Sequence, residues 1–195
     1  MTNPAPVCYV AGVLMAAAAC SQLSGAPAEK RFVCNKFGFS MQVPHGWYVD
    51  TIGDLPMFFS FDPGDTIPVI HLPEGGATVH MGVVYGTPKG GTSPQWLRTL
   101  RDFAIGVARG GGDTDPVITP IDFPPEAGIS EAFVVNWDLP IKSPPREVHH
   151  SVMICWEFGG MFLDACLHYV KGDPKGAAHE KVFLETIRGF RPIRK

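Results

Sequence analysis

The sequence predicts an α+β domain, an antiparallel β-sheet flanked by α-helices in an α/β/α sandwich. Three observations lead there. Runs of β-branched and aromatic residues alternate with Gly, Pro and Asp punctuation from Arg31 onward. Two segments carry helical periodicity, and they fall between and after the strands. Nineteen prolines and 22 glycines suit a sheet with many turns, while 45% hydrophobic residues exclude a disordered chain.

Taken in order, Arg31 to Cys34 and Phe37 to Pro44 are two runs of β-formers around Asn35-Lys36, which reads as a hairpin. His45-Gly46 is a turn, and Trp47 to Asp50, Met57 to Phe61 and Ala77 to Tyr85 read as strands. Ser93 caps a helix with Pro94 in its first turn, and Trp96, Leu97, Leu100, Phe103, Ala104 and Val107 recur at helical spacing until Gly110-Gly111-Gly112 ends it. Pro116 to Phe123, Ile129 to Trp137, Arg146 to Phe158 and Met161 to Val170 are further strands, the last two joined at Gly159-Gly160. Ala177 to Arg188 closes the domain as a helix with Val182, Phe183 and Ile187 inward, stopped by Gly189 and Pro192.

The N-terminus is an address. Val7 to Ala19 is an apolar run too short to span a bilayer as a mature helix, and it has the length of a signal-peptide hydrophobic region. Ala17-Ala18-Ala19-Cys20 resembles a bacterial lipobox, which makes Cys20 the lipidation site and membrane anchor. Ala26-Pro27-Ala28 is an A-x-A cut that would instead release a soluble periplasmic or secreted protein starting near Glu29. Residues 1–28 are therefore read as export signal and spacer, and 29–195 as one domain, large enough to need no metal or disulfide to hold its core. A net charge of −3 with 18% charged residues gives no footprint for nucleic acid.

Phe37-Gly38-Phe39-Ser40-Met41-Gln42-Val43-Pro44-His45-Gly46-Trp47 resembles the opening motif of PsbP-like domains. That superfamily includes a photosystem II extrinsic subunit, a Ran-binding import factor and bacterial exported lipoproteins. Phe183 to Pro192 is similar to the family's last helix and its tail. The resemblance implies the α+β fold and a non-catalytic accessory or assembly factor that binds a protein partner at a membrane surface. It assigns no chemistry, because the opening motif is a packing device: Phe37, Phe39, Met41 and Val43 alternate toward a core and Trp47 packs back.

Chemical motifs are scarce. Gly86-Thr87-Pro88-Lys89-Gly90-Gly91-Thr92 has the context of a phosphate loop, but Thr92 stands where its lysine belongs and Pro88 removes a donor, so no nucleotide is expected. His179-Glu180 opens like a zinc-protease helix, yet Phe183 replaces the second histidine. No cofactor is expected.

The final hairpin holds the one constellation. With Gly159-Gly160 as a two-residue turn, Phe158 opposes Met161, Cys155 opposes Asp164 and Ser151 opposes His168. One face then carries Val152, Ile154, Trp156, Phe158, Met161, Leu163, Ala165 and Leu167, the core. The other carries His149, Ser151, Met153, Cys155, Asp164, Cys166 and His168. Asp164, Cys166, His168 and His149 are the candidate ligands for a soft or borderline metal, the alternative function; a semi-polar second face is the plainer reading. Cys155 and Cys166 share that face and are a candidate disulfide, although the turn makes them diagonal. Phe123-Pro124-Pro125 and Leu139 to Pro145 are expected as stiff exposed loops at one end of the sheet, available to a partner.

Overall fold

The structure, a computed structural model, describes residues 30–64, 71–84, 93–110, 116–129 and 132–193. The export segment with Cys20 and Ala28, and the glycine-rich loop at 86–92, lie outside the described residues. The fold is mixed α+β and mostly antiparallel sheet.

Ten strands form two sheets among these residues. β1 (Arg31–Cys34), β2 (Phe39–Gln42) and β10 (Arg191–Pro192) make a small one in the order β1-β2-β10. The large sheet runs β3 (Tyr48–Ile52), β4 (Leu55–Phe59), β5 (Ala77–Val84), β9 (Met161–Val170), β8 (Glu147–Phe158), β7 (Ala132–Ile141), β6 (Ile118–Pro120), antiparallel throughout. The expected single sheet is thus two, because the tail pairs with β2, Arg191 opposite Ser40 and Pro192 opposite Phe39.

The β8–β9 register is the expected one. Phe158 pairs with Met161, Cys155 with Asp164 and Ser151 with His168. Gly159 and Gly160 turn the chain at φ +58° and +78°, left-handed at both positions, which two glycines adopt without cost. Val152, Ile154, Trp156, Leu163, Ala165 and Leu167 consequently enter one buried cluster. Helix α2 (Gly176–Arg188) packs on β9 and β2 and adds Phe183 and Ile187 to that cluster.

Helix α1 (Ser93–Gly110) packs on β7 and β8, and its Ala104 and Ala108 join Phe133, Val135, Trp137, Met153, Cys155, Phe162 and Cys166 in a second cluster. Alanines at this contact let the helix axis approach the sheet closely. Ser93 is the first residue of the helix.

Two expectations about the proline-rich segments fail. Leu139–Ile141 is strand, because β6 reaches only to Val135 of β7; beyond it β7 is an edge, where Pro140 forfeits no ladder bond. The two segments also lie at opposite ends of β7, one before it and one after. The first packs inward, with Phe123 6.1 Å from Trp156, and the Glu126 carboxylate meets Arg191 at 3.1 Å.

Phe190 closes the molecule. Its ring is fully buried, stacked 5.0 Å from Phe39 and edge-on to Trp156 and Phe158 at 5.6 and 4.9 Å. Beside it the Arg31 guanidinium donates to the Gly189 carbonyl at 3.1 Å. Replacing Phe190 by Ala is expected to cost about 3–5 kcal/mol of unfolding free energy, read from the urea midpoint.

At the other end of α2, Tyr169 donates to Glu180 at 2.5 Å, while the Asp138 carboxylate accepts from Lys171 at 2.5 Å and meets His150 Nδ1 at 2.8 Å. Those two partners hold Asp138 below its ordinary 3.8. A depressed native pKa adds stability above the unfolded value and loses it as pH falls through the native one. Asp138→Asn should therefore cost about 0.5 kcal/mol at pH 7, discounted for exposure, and urea titrations below pH 3.8 should show that difference closing.

Candidate functional site

Parity assigns the polar face. On β9, Asp164, Cys166 and His168 alternate with the buried Ala165 and Leu167, and on β5, Thr78, His80 and Gly82 alternate with the core residues Val79 and Met81. The β5–β9 register sets His80 opposite Cys166, Thr78 opposite His168 and Gly82 opposite Asp164. Ligand atoms of His80, Cys166 and His168 lie within 4.8 Å of one another. His80 and His168 stack with ring centres 5.1 Å apart, Trp137 meets His168 edge-on at 6.5 Å, and Ser151 Oγ lies 2.8 Å from His168 Nδ1.

Burial makes this cluster neutral. It lowers His80 and, together with the neighbouring His80 and His149, takes His168 down to about 3. It raises the Cys166 thiol, with Asp164 and Cys155 adding to the effect, and raises Cys155 as well. Two uncharged imidazoles and one thiol face each other.

Of the candidate ligands, the structure brings Cys166 and His168 together and adds His80, which the hairpin alone did not reveal. It leaves the other two elsewhere. Asp164 turns its carboxylate into the space that Gly82 leaves: a Cβ at 82 would stand 2.4 Å from Asp164 Oδ1. Burial there lifts Asp164 to about 6. His149 is buried and bonded at 2.7 Å to Glu147; burial pushes the Glu147 carboxylate up, but the bond and charge of His149 together with His71 and the Leu72 backbone outweigh it and hold it low. Cys34, Cys155 and Cys166 are free thiols, and the Cys155–Cys166 pairing fails on register, since Cys155 opposes Asp164 and Cys166 opposes Met153. His179 of the protease-like dipeptide is buried against Trp47 and bonds the Gly75 carbonyl at 3.2 Å.

A second constellation stands where β7 turns into β8. Ser143 Oγ is 3.3 Å from His71 Nε2, and His71 Nδ1 is 3.4 Å from Glu147 Oε1. A nucleophile, a base and an orienting carboxylate are thus in chain contact, the topology of a serine hydrolase triad. Two features oppose that chemistry. Glu147 Oε1 is already bonded to His149, and the two residues after Ser143 are prolines, so the backbone N–H groups that would hold an oxyanion are missing. The contact instead fastens the base of the loop. Residues Lys142, Ser143, Pro144, Pro145 and Arg146 are all exposed, and Val148 beside them is 38% exposed.

No family model and no curated protein matches the sequence. Solved structures resemble the fold. The Ran-binding protein Mog1p of Saccharomyces cerevisiae superposes with a TM-score of 0.48 at 9% identity, covering 85% of this chain and 95% of that one. The PsbP protein (CyanoP) of Synechocystis gives 0.47 at 14% identity, covering 90% and 98%. A protein of Bacteroides thetaiotaomicron gives 0.46 at 15%, covering 86% of this chain and 49% of that chain, so the present chain spans about half its length. These neighbours include members of the PsbP/Mog1-like superfamily that the opening and closing motifs resemble.

The fit of Asp164 against Gly82 is directly testable. Gly82→Ala should cost about 2 kcal/mol by overpacking, and in an Asp164→Ala background less than about 1 kcal/mol, measured as a double-mutant cycle of urea unfolding free energies.

Proposed function

We propose that this chain is a non-catalytic accessory or assembly factor, exported and held at a membrane surface, that binds a protein partner. The observation that carries the reading is the loop Lys142–Arg146. All five residues are exposed, two successive prolines stiffen it, and its base is tied through Ser143, His71, Glu147 and His149. A segment already fixed in one shape loses little conformational freedom on binding, which favours a recognition element over a passive connector.

The chemistry of the loop suits an acidic contact on the partner, since Lys142 and Arg146 flank the prolines and Val148 adds an apolar neighbour. A place outside the cytoplasm is supported by the apolar run Val7 to Ala19, read as an export signal, and by the lipobox-like Cys20, read as the lipid anchor. The absent backbone donors after Ser143 support the non-catalytic reading.

A photocrosslinking amino acid at Ser143, introduced into the chain in its native cell, is expected to capture one membrane-fraction protein. Lys142→Glu with Arg146→Glu should reduce that product at least tenfold while the expression level holds. A crosslink pattern that is diffuse and indifferent to the charge reversal would overturn the reading.

A further inference from the structure

From the thiol and two imidazoles on the sheet's polar face, and independently of any protein partner, we infer that His80, Cys166 and His168 form a binding site for a soft monovalent metal ion, cuprous copper. Their ligand atoms converge within 4.8 Å. Metal–nitrogen and metal–sulfur bonds of about 2.0 and 2.3 Å place ligands that face each other across an ion about 4.3 Å apart. The gap is ion-sized after small side-chain adjustments.

Three further features belong to a metal site more than to an ordinary semi-polar face. Ser151 engages His168 through Nδ1 at 2.8 Å, which fixes the ring and leaves Nε2 as the ligating nitrogen, the usual arrangement of an outer hydrogen bond behind a metal-bound histidine. The two rings stack 5.1 Å apart, so both can present a nitrogen to one ion, and neutral imidazole is the form that donates a lone pair. Cys166 is buried and His80 and His168 are partly buried, which shields the three ligand atoms from bulk water as the shell of a metal site does.

The choice of ion follows from the register. Met57 lies opposite His80, and Met153 lies opposite Cys166, so one row across four strands reads Met57, His80, Cys166, Met153. Both methionines are buried. Thiolate flanked by thioethers is a soft donor set, which selects Cu(I) among ions that also take imidazole. Charge points the same way. Cu(I) takes the place of the Cys166 thiol proton, an S–H bond giving way to an S–Cu bond and the proton passing to solvent, so the buried cluster keeps its net charge. Zn(II) would add one unit. No electron is transferred in the step.

The full chain, purified in mild detergent and kept reduced and free of oxygen, is titrated with Cu(I) against the chromophoric chelator bicinchoninate. One ion per chain should be withdrawn from the chelator. Cys166→Ser and His80→Gln should each weaken binding at least tenfold with an unchanged circular dichroism spectrum; wild-type affinity in both would overturn the site. The volume-conserving Met57→Leu and Met153→Leu variants should weaken Cu(I) about tenfold and leave Zn(II) unaffected. If Zn(II) displaces stoichiometric Cu(I) from the native chain, the assignment of the ion is wrong. Should the cysteine variant not fold, X-ray absorption of the copper-loaded native chain decides: two nitrogen scatterers and at least one sulfur at short distance are expected, and a shell without sulfur would refute the proposal.

Discussion

The two-residue turn at Gly159-Gly160 sets everything on the large sheet. Strand side chains alternate with a period of two, so a slip of one residue between β8 and β9 would turn the faces of one strand over relative to the other. With β8 held in place, Leu163 and Leu167 would then leave the cluster under α2, and Cys166 and His168 would enter it. Leucines would lose their apolar neighbours and the His168 ring would lose its bond to Ser151, so hydrophobic burial and polar cost enforce one register together. Left-handed φ at both turn positions makes that register local: two glycines adopt it freely, and residues with a Cβ would resist it.

The second constraint is the return of the chain end to its beginning. Phe190 reaches Phe39 from the tail and Trp156 and Phe158 from the large sheet, so one ring joins three parts of the molecule that are remote in sequence. This is also where the two motifs that suggest the superfamily meet, with Arg191 and Pro192 paired to Ser40 and Phe39. A motif pair that pairs with itself in this way specifies a fold. It leaves function to other residues.

Much of this was legible along the chain, for a reason that also explains what was not. β9 matches its expected bounds and the hairpin its expected register, because alternation and a Gly-Gly turn are local signals. His80 carried half of its signal. Its alternation with Val79 and Met81 puts it on the polar face, but the pairing of β5 with β9 spans a helix and three strands, and no local pattern announces such a contact. β10 has two residues, too few for any period, and becomes a strand only because β2 offers it an edge. Leu139–Ile141 looked like loop through Pro140, and it is strand because the neighbouring β6 ends first. The meeting of Ser143, His71 and Glu147 joins residues 72 apart, again a product of tertiary packing.

The loop and the inner cluster are two ends of one polar strip. Glu147, His149 and Ser151 stand at alternate positions of β8 and therefore share a face, each step advancing about 6.7 Å. Glu147 anchors the loop through His71, His149 bonds Glu147, and Ser151 bonds His168, which stacks on His80. His149 is close enough to help hold His168 neutral, so charge placed on one member is felt by the next. The serine, histidine and glutamate near the surface thus terminate a strip that continues inward to His168 and His80. The same strip runs from the exposed loop to the imidazoles beneath it. Exchanging the Cys166 proton for a cuprous ion leaves that balance of charge intact, whereas any change in net charge would have to be absorbed along Ser151, His149 and Glu147.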